Sequence, residues 1–255
     1  MTSNNQYNIR IVRTEEEFDN TAARLIIGQM RRNAHSVIGL STGRTTYNIH
    51  RLVVKLFNEH PFPINNVTFF GIDEVVGVDR NYAGACYTML KTELIDDLGV
   101  DSNHFLMFPT QSEDFPRTCR QFISEIERRA GIDLLILGLG ENAHLGFNQP
   151  GTSLEQEAWV TEMNPELEER IRRETQTPKG QWLGGVTLGL KDILRARSIV
   201  LVAKGEHKAE AVYRMLRGVV TSQCPASVLQ CHSNCLFLLD MKAASLINKN
   251  EKLWC

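Results

Sequence analysis

Four short stretches carry residues whose types and spacing suit chemistry. In GLGENAHLGFNQPG (138–151), His144 stands between two amides, Asn142 and Gln149, just after an apolar run that ends in glycines. A histidine in such a loop ordinarily has a carboxylate to hold its tautomer and steady its positive charge. In FFGIDEVVGVDRNYAG (69–84), Asp73 and Glu74 end an apolar run. A partly desolvated carboxylate at the mouth of a sheet suits a general base; alone it would more often be a helix cap or a solvated charge pair, and its weight comes from coinciding with the other stretches. In GLSTGRTTYNIH (39–50), Ser41, Thr42, Gly43, Arg44 and Thr45 precede a helix marked by Ile49, Leu52, Val53, Leu56 and Phe57. Helix-start amides, a glycine for the tight turn, hydroxyls and a guanidinium make a cradle for a phosphate, where the plainer alternative is an N-cap with a surface arginine. In LVAKGEHKAEAVYRML (201–216), Lys208 falls in the first turn of a helix expected to begin near Glu206. A cation there opposes the helix dipole unless an anion lies nearby, so Lys208 is a second phosphate ligand candidate.

The elements that must position these residues are strands alternating with helices. Apolar runs at 36–40, 67–72, 105–108, 134–139, 199–203 and 235–239 are separated by longer charged stretches with helical spacing. Thr14 with Glu17 three residues on forms a capping box, followed by an apolar face of Phe18, Ala22, Leu25, Ile26 and Met30. Several strands are apolar throughout, so both sheet faces should be covered. The expected fold is α/β: a single open, mostly parallel, Rossmann-like sheet with helices on both faces, forming one domain over residues 1–255. Ligands bind such sheets at the carboxyl ends of the strands, where all four stretches lie.

Composition narrows the partners. The 255 residues carry a net charge of −2 with Lys and Arg dispersed among Asp and Glu, which excludes an electrostatic footprint for nucleic acid or a membrane surface. A small-molecule partner is expected. The N-terminus is polar and no apolar run approaches the roughly 20 residues of a membrane span, so the chain reads as soluble, unexported and cytoplasmic. Six dispersed cysteines in a chain of this size favour reduced thiols. Cys231, His232 and Cys235 lack a second ligand pair with zinc spacing, and Cys235 reads as the start of a buried strand, so no metal is expected. Gly138, Gly140 and Ala143 spell G-x-G-x-x-A, with Glu155 and Glu157 near the place of a ribose acid. The proline and glycines of HLGFNQPGTSL, where a helix should begin, argue against a dinucleotide site. The glycines instead let a loop approach a ligand with His144 projecting into it, against the alternative of a structural histidine.

Nearly the whole chain resembles the glucosamine-6-phosphate deaminase and isomerase family, the broader group that includes the 6-phosphogluconolactonases. The matching segments, in order, are LSTGRTT, IDEVVG, GLGENAHLGFNQPGTSL, VTLGLKDILRARSIVLVAKGEHKAEAV and PASVLQCHSN. The last two also resemble galactosamine-6-phosphate deaminases, leaving the epimer open. The resemblance implies that the phosphate of an amino-sugar phosphate sits on Ser41, Thr42, Gly43, Arg44, Thr45 and Lys208, with Arg172, or alternatively Arg173, added from EERIRRE. It implies that Asp73 moves a proton between C2 and C1, that His144 assists ring opening at O5, and that no metal or organic cofactor is required. A homo-oligomer is left open.

This chain departs from the family pattern in the residues flanking the histidine. Asn142 and Gln149 stand where the deaminases carry an aspartate and a glutamate. A neutral partner cannot stabilise an imidazolium, so ring opening is the step affected. The resemblance therefore implies a deaminase/isomerase converting glucosamine 6-phosphate or galactosamine 6-phosphate to a ketohexose 6-phosphate plus ammonia. The alternatives are a 6-phosphogluconolactonase-like hydrolase and a sugar-phosphate-binding protein with reduced catalysis. LGFNQP after the histidine is of the deaminase type, whereas the lactonases carry a T-x-S-L-F-P type segment there.

Overall fold

The computed structural model describes residues 8–247. Seven strands form one sheet in the order β1-β10-β9-β6-β2-β3-β5, with every pairing parallel. These are β1 (Asn8–Val12), β2 (Val37–Leu40), β3 (Thr68–Gly71), β5 (Phe105–Leu106), β6 (Leu134–Gly138), β9 (Ile199–Ala203) and β10 (Cys235–Asp240). The runs at 36–40, 67–72, 134–139, 199–203 and 235–239 supply β2, β3, β6, β9 and β10, as the sequence leads one to expect. The run at 105–108 contributes only a two-residue strand at the sheet edge, the least supported position in a sheet. The α/β class with a mostly parallel sheet is as expected.

Helices cover both faces because the central strands bury both sides: β2, β3 and β9 are buried at every residue. One core joins α1 (Glu15–Arg32) and α2 (Arg44–Glu59) to the sheet through Phe18, Ile26, Ile49, Val53, Leu40 and Ile136. The same side holds α3 (Cys86–Leu90), which passes through a π turn (Lys91–Ile95) into α4 (Asp96–Leu98). The other core joins α5 (Phe115–Arg128), α7 (Leu190–Leu194) and α8 (Ala209–Arg217) through Phe122, Ile193, Met215, Leu137 and Phe237. Each large side chain buried in this way contributes about 1.5–3 kcal/mol, which is what holds the strand ends in register.

At the start of α1 the Thr14 side chain accepts from the Glu17 amide at 3.1 Å. Glu17 reaches back one residue further than the capping box expects, accepting from the Arg13 amide at 3.1 Å. Leu25 lies only partly buried beside the core, whereas Phe18, Ala22, Ile26 and Met30 are fully enclosed.

A second, three-stranded antiparallel sheet was not foreseen in the sequence. It contains β4 (Asp73–Val76), β8 (Gly184–Thr187) and β7 (Trp159–Thr161), in the order β4-β8-β7. Asp73 therefore opens a strand of this second sheet, where the sequence had placed it at the end of the first. Asp73 pairs with Thr187 across β4 and β8. The α6 helix (Pro165–Thr175) packs Ile171 and Leu167 against Val75, Val78, Phe147, Met163 and Leu183 of this region.

Candidate active site

β2 is flanked by β3 on one side and β6 on the other, so the strand order reverses around it. The loops leaving β3, β2, β6 and β9 emerge from four adjacent strands at their carboxyl ends, where crevices form in open α/β sheets. Ser41 locks this point together: its hydroxyl donates to the Ile136 carbonyl at 2.6 Å and accepts from the Gly138 amide at 2.9 Å. Among the expected phosphate donors, Ser41 is thus engaged in joining the ends of β2 and β6.

Gly43 is the N-cap of α2 with φ 123°, a conformation side chains rarely adopt, and it offers no side-chain cap. Thr46 and Tyr47 donate to the Gly43 carbonyl. The amides of Gly43, Arg44 and Thr45 have no protein acceptor among the described residues. No acidic residue sits in the first turn of α2 to complement its dipole, an arrangement that suits an anion. Thr42 spends its hydroxyl proton on Cys86 Sγ, 3.2 Å away.

Lys208 ends a 3₁₀ turn (Glu206–Lys208) and caps α8, one turn later than the helix start expected near Glu206. Burial pushes its ammonium below the ordinary lysine range, Glu141 draws it up, and the Arg44 guanidinium pushes it further down. The Lys208 ammonium thus feels the positive charge of Arg44 at the start of α2. Arg172 lies on α6, its guanidinium bonded to Glu168 at 2.6 Å and to the Pro178 carbonyl at 2.6 Å, while the alternative Arg173 is exposed. Arg172 is paired within its own segment in this structure.

Asp73, at the start of β4, is partly buried. Burial, followed by repulsion from Glu74, raises its carboxyl to about 7, against which a hydrogen bond from Cys86 acts. Glu74 is wholly buried and accepts from the amides of Val75 at 2.7 Å, Cys86 at 2.9 Å and Tyr87 at 2.7 Å. It pins the start of α3 beneath Asp73, and burial raises its own carboxyl despite those three donors.

No helix follows β6. The chain turns at Ala143, which has a positive φ of 69°, so the G-x-G-x-x-A spelling builds a loop and not a dinucleotide fingerprint. Gly140 is required there because a Cβ would come within 2.1 Å of His144 Nδ1: the imidazole lies directly against the glycine. His144 Nδ1 is 2.7 Å from Asn142 Oδ1, and the His144 backbone amide donates to the same oxygen at 3.2 Å. A backbone N–H can only donate, which fixes Oδ1 as the atom facing His144 and makes Nδ1 carry the ring proton. The other side of the amide follows: Asn142 Nδ2 donates to Gln149 Oε1 at 3.0 Å. His144 Nε2 is left with a lone pair and no protein partner among the described residues. Burial, and next the Lys208 charge, depress the imidazole to about 4, with Glu141 opposing them. His144 is neutral at neutral pH.

His144, Asn142 and Gln149 form one hydrogen-bonded chain on the loop after β6, while Asp73, at the head of β4, is tied through Cys86 to Thr42 in the loop after β2. Cys86 and Glu141 carry no comparable signal in sequence, because each acts on a residue from a distant segment. His232 is structural, with Nε2 bonded to the Ala196 carbonyl at 2.7 Å and Nδ1 accepting from the Asn234 amide at 3.2 Å. Cys235 opens β10 and is buried. Among the described residues no helix is long and apolar enough to cross a membrane.

Fold and site together define a mostly parallel α/β protein in which the open helix-start amides of α2, the partly buried Asp73 and the neutral His144 lie just past the carboxyl ends of adjacent strands. Residues 13–238 match the model of the family described as glucosamine-6-phosphate isomerases/6-phosphogluconolactonase. A glucosamine-6-phosphate deaminase of Rhodopirellula baltica is 35% identical over 245 residues, covering 96% of this chain and 98% of its own. One from Clostridium perfringens is 30% identical over 237 residues, covering 93% and 98%. Among solved structures, a monomeric glucosamine-6-phosphate deaminase superposes with a TM-score of 0.87 at 27% identity, covering 94% of this chain and 99% of that one. The 6-phosphogluconolactonase from Trypanosoma brucei shares the fold, with a TM-score of 0.75 at 22% identity over 94% and 98% of the two chains. The chain belongs to the family of glucosamine-6-phosphate isomerases and 6-phosphogluconolactonases.

Proposed function

We propose that this protein is an amino-sugar phosphate deaminase/isomerase, converting glucosamine 6-phosphate or galactosamine 6-phosphate, with water, to a ketohexose 6-phosphate and ammonia. The observation that carries the reading is the link from the loop before the open amides of α2, through Thr42 and Cys86, to Asp73, whose carboxyl is raised by burial to about 7. A base with a pKa near the working pH combines a useful deprotonated fraction with real proton affinity. The phosphate is held by the amides of Gly43 to Thr45, by Arg44 and by Lys208, with Arg172 turning in from α6 when substrate is present. In the open-chain sugar, Asp73 removes the proton from C2 and returns it to C1 of the resulting enolamine. The imine carbon at C2 then takes up water and releases ammonia.

Ring opening falls to His144. With its proton fixed on Nδ1, the ring presents the Nε2 lone pair, which accepts the anomeric hydroxyl proton and then delivers it to O5. Asn142 and Gln149 orient the ring but supply no charge, so the imidazolium formed on the way is short-lived and the step is slow compared with a carboxylate-flanked histidine. The deaminase-type relatives and the LGFNQP segment favour this reaction over lactone hydrolysis.

The test is ammonia release from glucosamine 6-phosphate and galactosamine 6-phosphate side by side, with 6-phosphogluconolactone as a third substrate. Ammonia from either amino sugar supports the reading. Hydrolysis of the lactone alone would replace it with the lactonase, and sugar-phosphate binding without turnover would replace it with a binding protein.

A further inference from the structure

Cys86 is buried at the start of α3, its amide held by Glu74 and its thiol lying between two groups of the crevice. Thr42 Oγ1 is 3.2 Å from its sulfur, and the sulfur is 3.5 Å from Asp73 Oδ1. A carboxylate at Asp73 only accepts, so the thiol must donate to it; the lone pairs of the sulfur then accept from the Thr42 hydroxyl. We propose that Cys86 is a positioning residue for Asp73, holding its carboxylate oriented toward the crevice and linking it to the phosphate loop through Thr42. The proposal rests on the reading of Asp73 as the base.

Three further features fit this role. The thiol stays protonated, because burial together with Asp73 and Glu74 keeps it well above the ordinary thiol range. It is therefore a donor and a poor nucleophile, which argues against a covalent role. Sulfur is a weak donor, so Cys86 orients Asp73 and favours its ionised form without drawing the carboxyl back to the ordinary range; burial and Glu74 keep it near 7. The linkage also runs from Thr42, at the end of β2, to Asp73, at the start of β4, and so joins the two sheets at the point where the reacting sugar would span them.

The experiment titrates the Asp73 carboxyl by carbon-13 NMR in the intact protein, its resonance assigned by loss in Asp73→Asn, and compares wild type with Cys86→Ala and Cys86→Ser. Removing the donor should move the Asp73 midpoint upward by roughly half to one pH unit, the worth of an ordinary hydrogen bond, because a thiol donates more weakly than the groups that usually bond a carboxylate. Serine keeps a donor, and should return the midpoint to the wild-type value or below. The acidic limb of the ammonia-release profile should move with it. An unmoved midpoint in Cys86→Ala, or equal upward movement in both variants, would overturn the proposal. If Cys86→Ala does not fold, Cys86→Ser decides alone, a midpoint above wild type counting against the proposal and one at or below it counting in favour. Should no sugar phosphate be turned over by wild type, the assignment of function fails while the titration still reads whether Cys86 acts on Asp73.

Discussion

His144 donates its Nδ1 proton to Asn142 Oδ1 across 2.7 Å, and the backbone amide of His144 donates to the same oxygen. The pair fixes a neutral imidazole with Nε2 open, where a carboxylate at position 142 would favour the charged ring. Asn142→Asp should therefore raise the His144 titration from about 4 by roughly one to three units, the usual effect of an adjacent opposite charge, read from the ring proton shifts by NMR. Gln149 can turn its amide nitrogen toward the new carboxylate. Adding Gln149→Glu as well places two carboxylates where atoms now stand 3.0 Å apart, so one of them should hold a proton. Turnover of the cyclic substrate should rise in the single variant and gain little more in the double. A His144 titration unmoved by Asn142→Asp would contradict the amide account.

The open amides of α2 predict an anion site. Sulfate or inorganic phosphate should occupy the Gly43–Thr45 amides in a crystal, with Lys208 turned toward it. Glu141, which draws on Lys208, competes for the same cation, so Glu141→Gln should tighten phosphate by a few-fold, in line with about 0.2–1 kcal/mol for an exposed charge pair. Calorimetric titration with inorganic phosphate reads it. Weaker binding in Glu141→Gln, or an empty loop with Lys208 in solvent, would remove the phosphate assignment.

Asp73 makes stability depend on pH. Its folded value near 7 lies above the unfolded aspartate value of about 3.9, so between them the native state binds more protons and stability falls as pH rises, with the loss complete above about 7. Asp73→Asn removes that loss. The variant should melt at a higher temperature than wild type at about pH 8 and lose most of this advantage near pH 4. His144 titrates in both proteins and cancels from the difference. Equal melting differences at the two pH values would show that Asp73 is not held in a raised state.

Gly140 tests the placement of the histidine. Gly140→Ala puts a methyl group within 2.1 Å of where the His144 ring now lies, so the ring must move off its Asn142 partner. Turnover should fall by more than tenfold with phosphate binding unchanged, because the anion loop sits on a different strand. Full activity in Gly140→Ala would take His144 out of the reaction.

The large sheet was legible because its central strands are apolar on both faces, as in VIGL and IVLVA, and the positions of Thr42, His144 and Lys208 followed from being next to such runs. The second sheet was not, since DEVV reads as the tail of TFFG until Gly184–Thr187 is seen beside it. The break at Ile72, which turns Asp73 from one sheet into the other, leaves no local mark in composition. Cys86 was invisible for the same reason: its neighbours Thr42 and Asp73 come from other strands. The two amides stand out in sequence as departures from carboxylates, but the direction of their hydrogen bonds, and with it the tautomer of His144, depends on a backbone N–H that only the folded loop aims at Asn142.

The central claim is that Asp73 moves the proton in an amino-sugar phosphate. The most direct measurement follows glucosamine 6-phosphate and galactosamine 6-phosphate by proton NMR with wild type and with folded Asp73→Asn protein. Ketohexose 6-phosphate and ammonium should appear in equal amounts with wild type, at a rate rising with pH through about 7, and Asp73→Asn should be slower by roughly a hundredfold to ten-thousandfold while still binding the sugar. Ketose and ammonium formed at the wild-type rate by Asp73→Asn, or no product from either sugar with wild type, would contradict the account.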